Sequence, residues 1–175
     1  MLEIEVVLDE NFDETINKFV VEKSVKVRLE HSLVSLSKWE AVWEQAFLGK
    51  GDKTTEQTIS YVEMMLLDKI PPEVFRRLLE KHLGEVQAYV NAPMTGTKLP
   101  KQENKASSRE MITAELIYYW MAQLNVPTEF EHWHLSRLFT LIQVFNIKNT
   151  PAKKMSAAER HRVIEAQRAK FNTRG

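Results

Sequence analysis

Five histidines, His31, His82, His132, His134 and His161, are the side chains best suited to metal or proton chemistry in this chain. His132 and His134 stand two apart. On the helix expected there they point about 200° from one another, so they cannot grip one ion as an i, i+4 pair does. Glu129 and Glu131 are near in sequence, but no metal-ligand spacing emerges, and the histidines read as ordinary helix residues. Gly49-Lys50-Gly51-Asp52-Lys53 has the residue types of a phosphate loop but lacks the Gly-x-x-x-x-Gly-Lys-Ser/Thr spacing that wraps a phosphate. Tyr118-Tyr119-Trp120 offers rings for stacking on bases, yet its flanks are not basic, so core packing is preferred. No Gly-x-Ser-x-Gly elbow or other nucleophile and base set is present. With no cysteine, disulfides, thiolate metal sites and a Cys nucleophile are excluded. The expectation is a protein that is not an enzyme and takes no cofactor or metal.

Charge supplies the feature outside the core with a functional meaning. The net charge is zero, so no global basic field argues for nucleic acid. Met1 to Glu22 nevertheless carries Glu3, Glu5, Asp9, Glu10, Asp13, Glu14 and Glu22 against Lys18, while Lys148 to Gly175 is strongly basic, with only Glu159 and Glu165 opposing. Such asymmetry points to interaction surfaces or to attraction between the ends, against a plainer alternative of two solvated faces. In the basic segment, Lys153, Lys154, Arg160, Arg162, Arg168, Lys170 and Arg174 would contact phosphates in a nucleic-acid arm. They would equally meet an acidic protein partner in a docking arm. Docking is preferred, because no aromatic residue is interleaved before Phe171. The first ten residues begin acidic and lack a secretory signal pattern, and no apolar run approaches the roughly 18 residues of a membrane span. A soluble, cytosolic protein is expected.

The elements that position these residues follow from periodicity. Leu2, Ile4, Val6 and Leu8 alternate with Glu3 and Glu5, and Val25, Val27 and Leu29 alternate with Lys26, Arg28 and Glu30. Period two with one apolar face predicts half-buried strands, here a small antiparallel pair with Glu opposite Lys and Arg. Asp9 to Asp13 is expected as a polar turn, and Phe19 to Val21 as an extension of the second strand or a separate one. Leu36, Trp39, Trp43 and Phe47 fall on one helical face, capped by Ser35 or Ser37. Thr54 or Thr55 caps a helix burying Ile59, Val62, Met65 and Leu66. Pro71-Pro72 starts another with Val74, Phe75, Leu78 and Leu79 inward, interrupted at Gly84 and resumed over Val86 to Val90. Residues 94–107 are expected as a linker.

Ser107 to Asn146 predicts a helical hairpin at the centre of the core. Ser107-Ser108-Arg109-Glu110 matches a capping box. Ile112, Leu116, Tyr119, Trp120 and Leu124 form the first face, Asn125 and Pro127 end it, and a second helix from Phe130 to Phe145 is expected to be the most buried. Another Ser-x-x-Glu box, Ser156 to Glu159, opens the basic arm. The expected class is α+β, mostly α: a small N-terminal antiparallel sheet followed by a helical bundle with a basic C-terminal helical arm. The expected parts are 1–93, a linker 94–107, the hairpin 108–149 and the arm 150–175.

Four stretches together carry a resemblance: SLSKWEAVWEQAFL with TTEQTISYVEMM, the short NAPMTGT, the hairpin SSREMITAELIYYWMAQLNVPTEFEHWHLSRLFTLIQVFNIKN, and the tail KKMSAAERHRVIEAQRAKFNTRG. The pattern resembles the tail assembly chaperone-like proteins of long-tailed bacteriophages, with most of the likeness in the hairpin and tail. The resemblance implies a non-enzymatic assembly factor in the host bacterial cytoplasm, absent from the finished virion. It implies partners too: the tape measure protein, which such chaperones coat and keep soluble, and the major tail protein, which they help recruit. The client surface it implies is the hairpin, through Tyr118, Trp120, Trp133 and Arg137, together with the basic arm. Two other classes compete with it. One is a structural tail or neck protein of the virion; the other is a nucleic-acid-binding accessory protein using the arm.

Overall fold

The computed structural model describes residues 1–49, 51–99, 111–149, 161, 162, 164, 165, 167 and 168. They form an α+β fold, mostly α, in which a two-stranded antiparallel sheet precedes the helices. The chain divides into two units, Met1–Phe145 and Asn146–Gly175.

In the first unit, β1 (Leu2–Asp13) pairs with β2 (Lys18–Leu29). Ile4, Val6, Val27 and Leu29 are buried on one face, as their alternation predicts. On the other face Lys26 Nζ lies 3.4 Å from Glu3, and Ser24 donates to Glu5 at 2.6 Å. Arg28 turns instead to Asp68, donating two hydrogen bonds at 2.8 and 2.6 Å. That fork fastens the turn after the second helix beside the end of β2, where Leu67 N donates to Arg28 O and Glu30 N to Met65 O. The expected turn at Asp9 to Asp13 is strand; the chain reverses at Glu14–Asn17, with Asn17 left-handed at φ 50°. The alternation stops at Leu8 because the described side chains beyond it are exposed on both faces, while the backbone ladder continues without that help.

Up to Asn149, the helices among the described residues are α1 (Leu33–Trp43), α2 (Thr55–Met64), α3 (Pro72–Asn91), α4 (Ala114–Gln123) and α5 (Leu135–Asn149), with a 3-10 turn at Thr128–His132. The N-cap of α1 is Ser32, not Ser35 or Ser37. Ser35 sits three residues in and accepts from Ser32 N at 3.0 Å. Thr54 caps α2 by accepting from Gln57 N. The inward face of α2 centres on Gln57, Tyr61 and Val62, while Ile59 is exposed. Pro72 opens α3, which runs unbroken through Gly84. One glycine costs a helix about 1 kcal/mol, and Val74, Leu78, Val86 and Tyr89, buried on both sides of it, outweigh that.

The capping box at Ser107 lies outside the described residues. Because Met111 to Thr113 are not helical, α4 has its own cap, Thr113, which accepts from Leu116 N. Its buried face is Ala114, Ile117 and Met121, so Tyr119 points outward, 57% exposed. Asn125 is left-handed at φ 51°, as its place before Pro127 predicts. The expected second hairpin helix is broken at Trp133 and His134 into the 3-10 turn and α5. It is also not the most buried helix: α5 buries three side chains, whereas the shorter α1 buries Leu33, Ser35, Leu36, Trp39 and Glu40.

Two apolar clusters result. The first joins the hairpin base to α2 and α3 around Trp39; the second joins α4 and α5 to Leu33 and Leu36. The central element is therefore α1, which feeds both, rather than the α4–α5 hairpin. In the second unit, residues 161, 162, 164, 165, 167 and 168 are helical, with His161 Nδ1 3.6 Å from Glu165. No helix among the described residues is long and apolar enough to cross a membrane.

Candidate interaction surfaces

The hairpin residues singled out from the sequence do not form one patch of equals. Trp133 stacks on Phe130, ring centroids 4.0 Å apart, and the Arg137 guanidinium lies 3.8 Å from the Trp133 ring. This makes a three-layer stack in which Arg137 is exposed and Trp133 half-buried. Such cation–π layers hold a guanidinium flat against a ring. Tyr118 reaches the same 3-10 turn, donating to Glu131 Oε2 at 2.8 Å. Burial, and then this bond to a carboxylate, raise the phenol pKa. Trp120 is half-buried against the second cluster. Of the arm residues, Arg162 and Arg168 are helical and exposed. Lys153, Lys154, Arg160, Lys170 and Arg174 lie outside the described residues, as does the box at Ser156.

A surface that periodicity did not expose lies between α2 and α3. It is an open groove of about 450 Å³, floored by Phe47, Tyr61, Val62, Met65, Val86 and Val90 and rimmed by Lys53, Thr58, Leu83, Gln87 and Asn91. Lys53 Nζ stands 4.5 Å above the Phe47 ring, leaving a cation at one lip. A neighbouring hollow shares Lys53, Thr58 and Leu83 and continues past Ile59 and Leu79. The apolar strip is thus longer than either hollow alone. Exposed Ile59 and Leu83 are the signals that the sequence held; Ile59 looked like an ordinary member of a buried face, and Leu83 was placed on none.

The far half of the hairpin is a second such surface. Every described side chain from Asp9 to Lys23 is exposed, including Phe12, Ile16, Phe19, Val20 and Val21. Phe12 and Phe19 face each other across the ladder, 5.1 Å apart. The ladder skips Leu8 on β1 and then Glu22 on β2, and Arg77 of α3 donates to the Leu8 carbonyl at 3.2 Å.

The buried polar groups are tied up in structure. His31 and His134 meet edge to face with centroids 4.9 Å apart. His134 Nε2–H donates to the Tyr89 carbonyl at 3.0 Å, and its Nδ1 accepts from Ser136 N at 3.3 Å, capping α5. Tyr61 Oη lies 2.5 Å from His31 Nδ1 and 3.4 Å from Ser35 Oγ. Ser35 donates its one proton to the Ser32 carbonyl, so toward the phenol its Oγ can only accept. Burial, with His134 adjacent, pulls the His31 pKa down to about 4. Burial lowers His134 as well and raises Tyr61. Both rings are therefore neutral at pH 7. His132, by contrast, is exposed, 3.2 Å from Glu30; it and His134 share no helix. Glu40, which the sequence presented as one more helix carboxylate, is buried and accepts from Phe47 N and from Ala114 N, each at 2.7 Å.

Among the described residues no three His, Asp or Glu side chains gather closely enough to hold a metal ion. Comparison of the chain with protein-family descriptions, with curated proteins and with solved structures finds no match.

Proposed function

We propose that this protein is a non-enzymatic tail assembly chaperone of a long-tailed bacteriophage, which holds the tape measure protein soluble and helps recruit major tail protein in the host cytoplasm. The observation that carries this is the apolar groove between α2 and α3. A long helical client presents apolar side chains at i, i+3, i+4 and i+7, and a groove between two helices receives such a stripe. The lip cation Lys53 favours a client helix with acids flanking that stripe. The resemblance in the hairpin and tail supports the same assignment.

The test is a pull-down of the tagged protein from cells making the phage, read by mass spectrometry, with purified particles analysed in parallel. Tape measure and major tail proteins should be recovered, and the bait should be missing from particles. Leu83→Glu, which places a charge on the groove's exposed rim, should cut tape measure recovery about tenfold, the effect of roughly 1.4 kcal/mol. Neither partner recovered and bait present in particles would replace the chaperone with a structural virion component. Salt-sensitive DNA binding lost on deleting residues 153–175 would favour the nucleic-acid alternative.

A further inference from the structure

The far half of the hairpin has the chemistry of a docking arm. Its ladder continues to the Asp13–Lys18 pair, so both strands stay extended and each edge presents backbone N–H and C=O groups. Natural edge strands are usually blunted by proline, inward charges or a covering element. Residues 9–23 contain no proline, and their described side chains are uncovered. A lone two-stranded ribbon gains little from its own pairing, yet this one exposes Phe12, Ile16, Phe19 and Val21. An exposed apolar cluster on so small a surface marks a binding site more often than chance.

Charge decides the occupant. Asp9, Glu10, Asp13, Glu14 and Glu22 stand against Lys18 and Lys23 over the same stretch. Two copies of the arm laid edge to edge would bring like charges together, which is unfavourable across strands. We propose that residues 9–23 take an extended, basic segment of another protein as an added strand. Its backbone would complete an edge ladder, its alternate apolar side chains would lie on Phe12 and Phe19, and its Lys or Arg side chains, on the opposite face, would meet Glu22, which stands beside Asn11, and Glu14 at the turn. Strand addition of this kind draws affinity from main-chain bonds and selectivity from alternate side chains. The arm is distinct from the α2–α3 groove and does not depend on the chaperone assignment.

The test uses the full chain, isotope-labelled for NMR, and a ten-residue peptide alternating Val and Lys, with a Val–Glu peptide as control. The Val–Lys peptide should shift backbone amides of residues 9–23 saturably and leave those of α2 and α3 in place. Reversing two charges with Glu14→Lys and Glu22→Lys should weaken it about tenfold or more, as loss of complementary charge does. Phe12→Ser with Phe19→Ser, which keeps the charge, should weaken it similarly, and Glu115→Lys, on α4, should not. Equal binding of the Val–Glu peptide, shifts confined to α2 and α3, or no saturable shift would overturn the proposal. So would a concentration-dependent dimer of the chain abolished by the Phe12 and Phe19 changes, because the occupant would then be a second copy.

Discussion

Both oxygens of Glu40 accept backbone amides, one from the loop after α1 and one from the first residue of α4. A carboxylate at a helix N-terminus also meets the positive end of the helix dipole. Glu40→Ala leaves two amides without their acceptor and should lower unfolding stability by about 3 kcal/mol, given roughly 1.5–3 kcal/mol for a bond to a charged group. Glu40→Gln, keeping one acceptor oxygen, should lose about half as much; urea denaturation at pH 7 measures both. The histidine pair makes a second prediction. His31 titrates near 4 when folded, against 6.5 ordinarily, so the unfolded chain takes up its proton first. Its contribution is complete above about pH 6.5 and is lost as pH falls toward 4, a loss of about 3 kcal/mol at 1.36 kcal/mol per pKa unit. His134 moves in the same direction, and charging its Nδ1 would also break the cap on α5. Denaturation at pH 7, 5.5 and 4 should show the fall, and His31→Leu should flatten it. Neither role was legible in the sequence. Glu40 meets Ala114 across 74 residues, and His134 is a cap only because the helix expected around it is broken there.

The same contrast holds for elements. The strands were legible where a buried face imposed alternation, from Leu2 to Leu8 and from Val25 to Leu29, and in the expected extension of the second strand through Phe19 to Val21, which β2 contains; the far part of β1, Asp9 to Asp13, exposed on its described side chains, was not. Helix starts were legible where the cap and the first turn are adjacent, as at Thr54 and Pro72. The faces of α2 and α4 were misjudged for one reason: apolar type does not say which of several apolar positions a neighbour covers. Tyr61 goes in and Ile59 out because Tyr61 has His31 to bond. Gly84 offers a clean test at this scale. A Cβ built there meets nothing within 4 Å, so Gly84→Ala should stabilise the protein by about 0.5–1 kcal/mol, through the smaller entropy of the unfolded chain. A calorimetric melt should shift upward by a few degrees; an unchanged or lower midpoint would mean that α3 bends at Gly84 for a purpose.

Across the whole molecule, both apolar clusters are built from residues before Asn146. Truncation after Asn149 should therefore leave a soluble protein with one cooperative melt, its midpoint within a few degrees of the full chain's. An insoluble product without a cooperative transition would show that the basic arm belongs to the folding unit. The class, α+β and mostly α, could be read from the sequence because two periods, two residues and 3.6, occupy separate stretches of chain. The groove could not, because it is made of what two helices leave uncovered. The paired skips at Leu8 and Glu22 have a consequence of their own. One extra residue on each strand returns the ladder to its original offset: Val7 with Ser24 and Glu10 with Val21 give the same sum. The far ribbon is consequently a replaceable cassette. Its length and sequence can drift, or be exchanged for a tag or a foreign hairpin, without shifting any buried residue at its base into the wrong row.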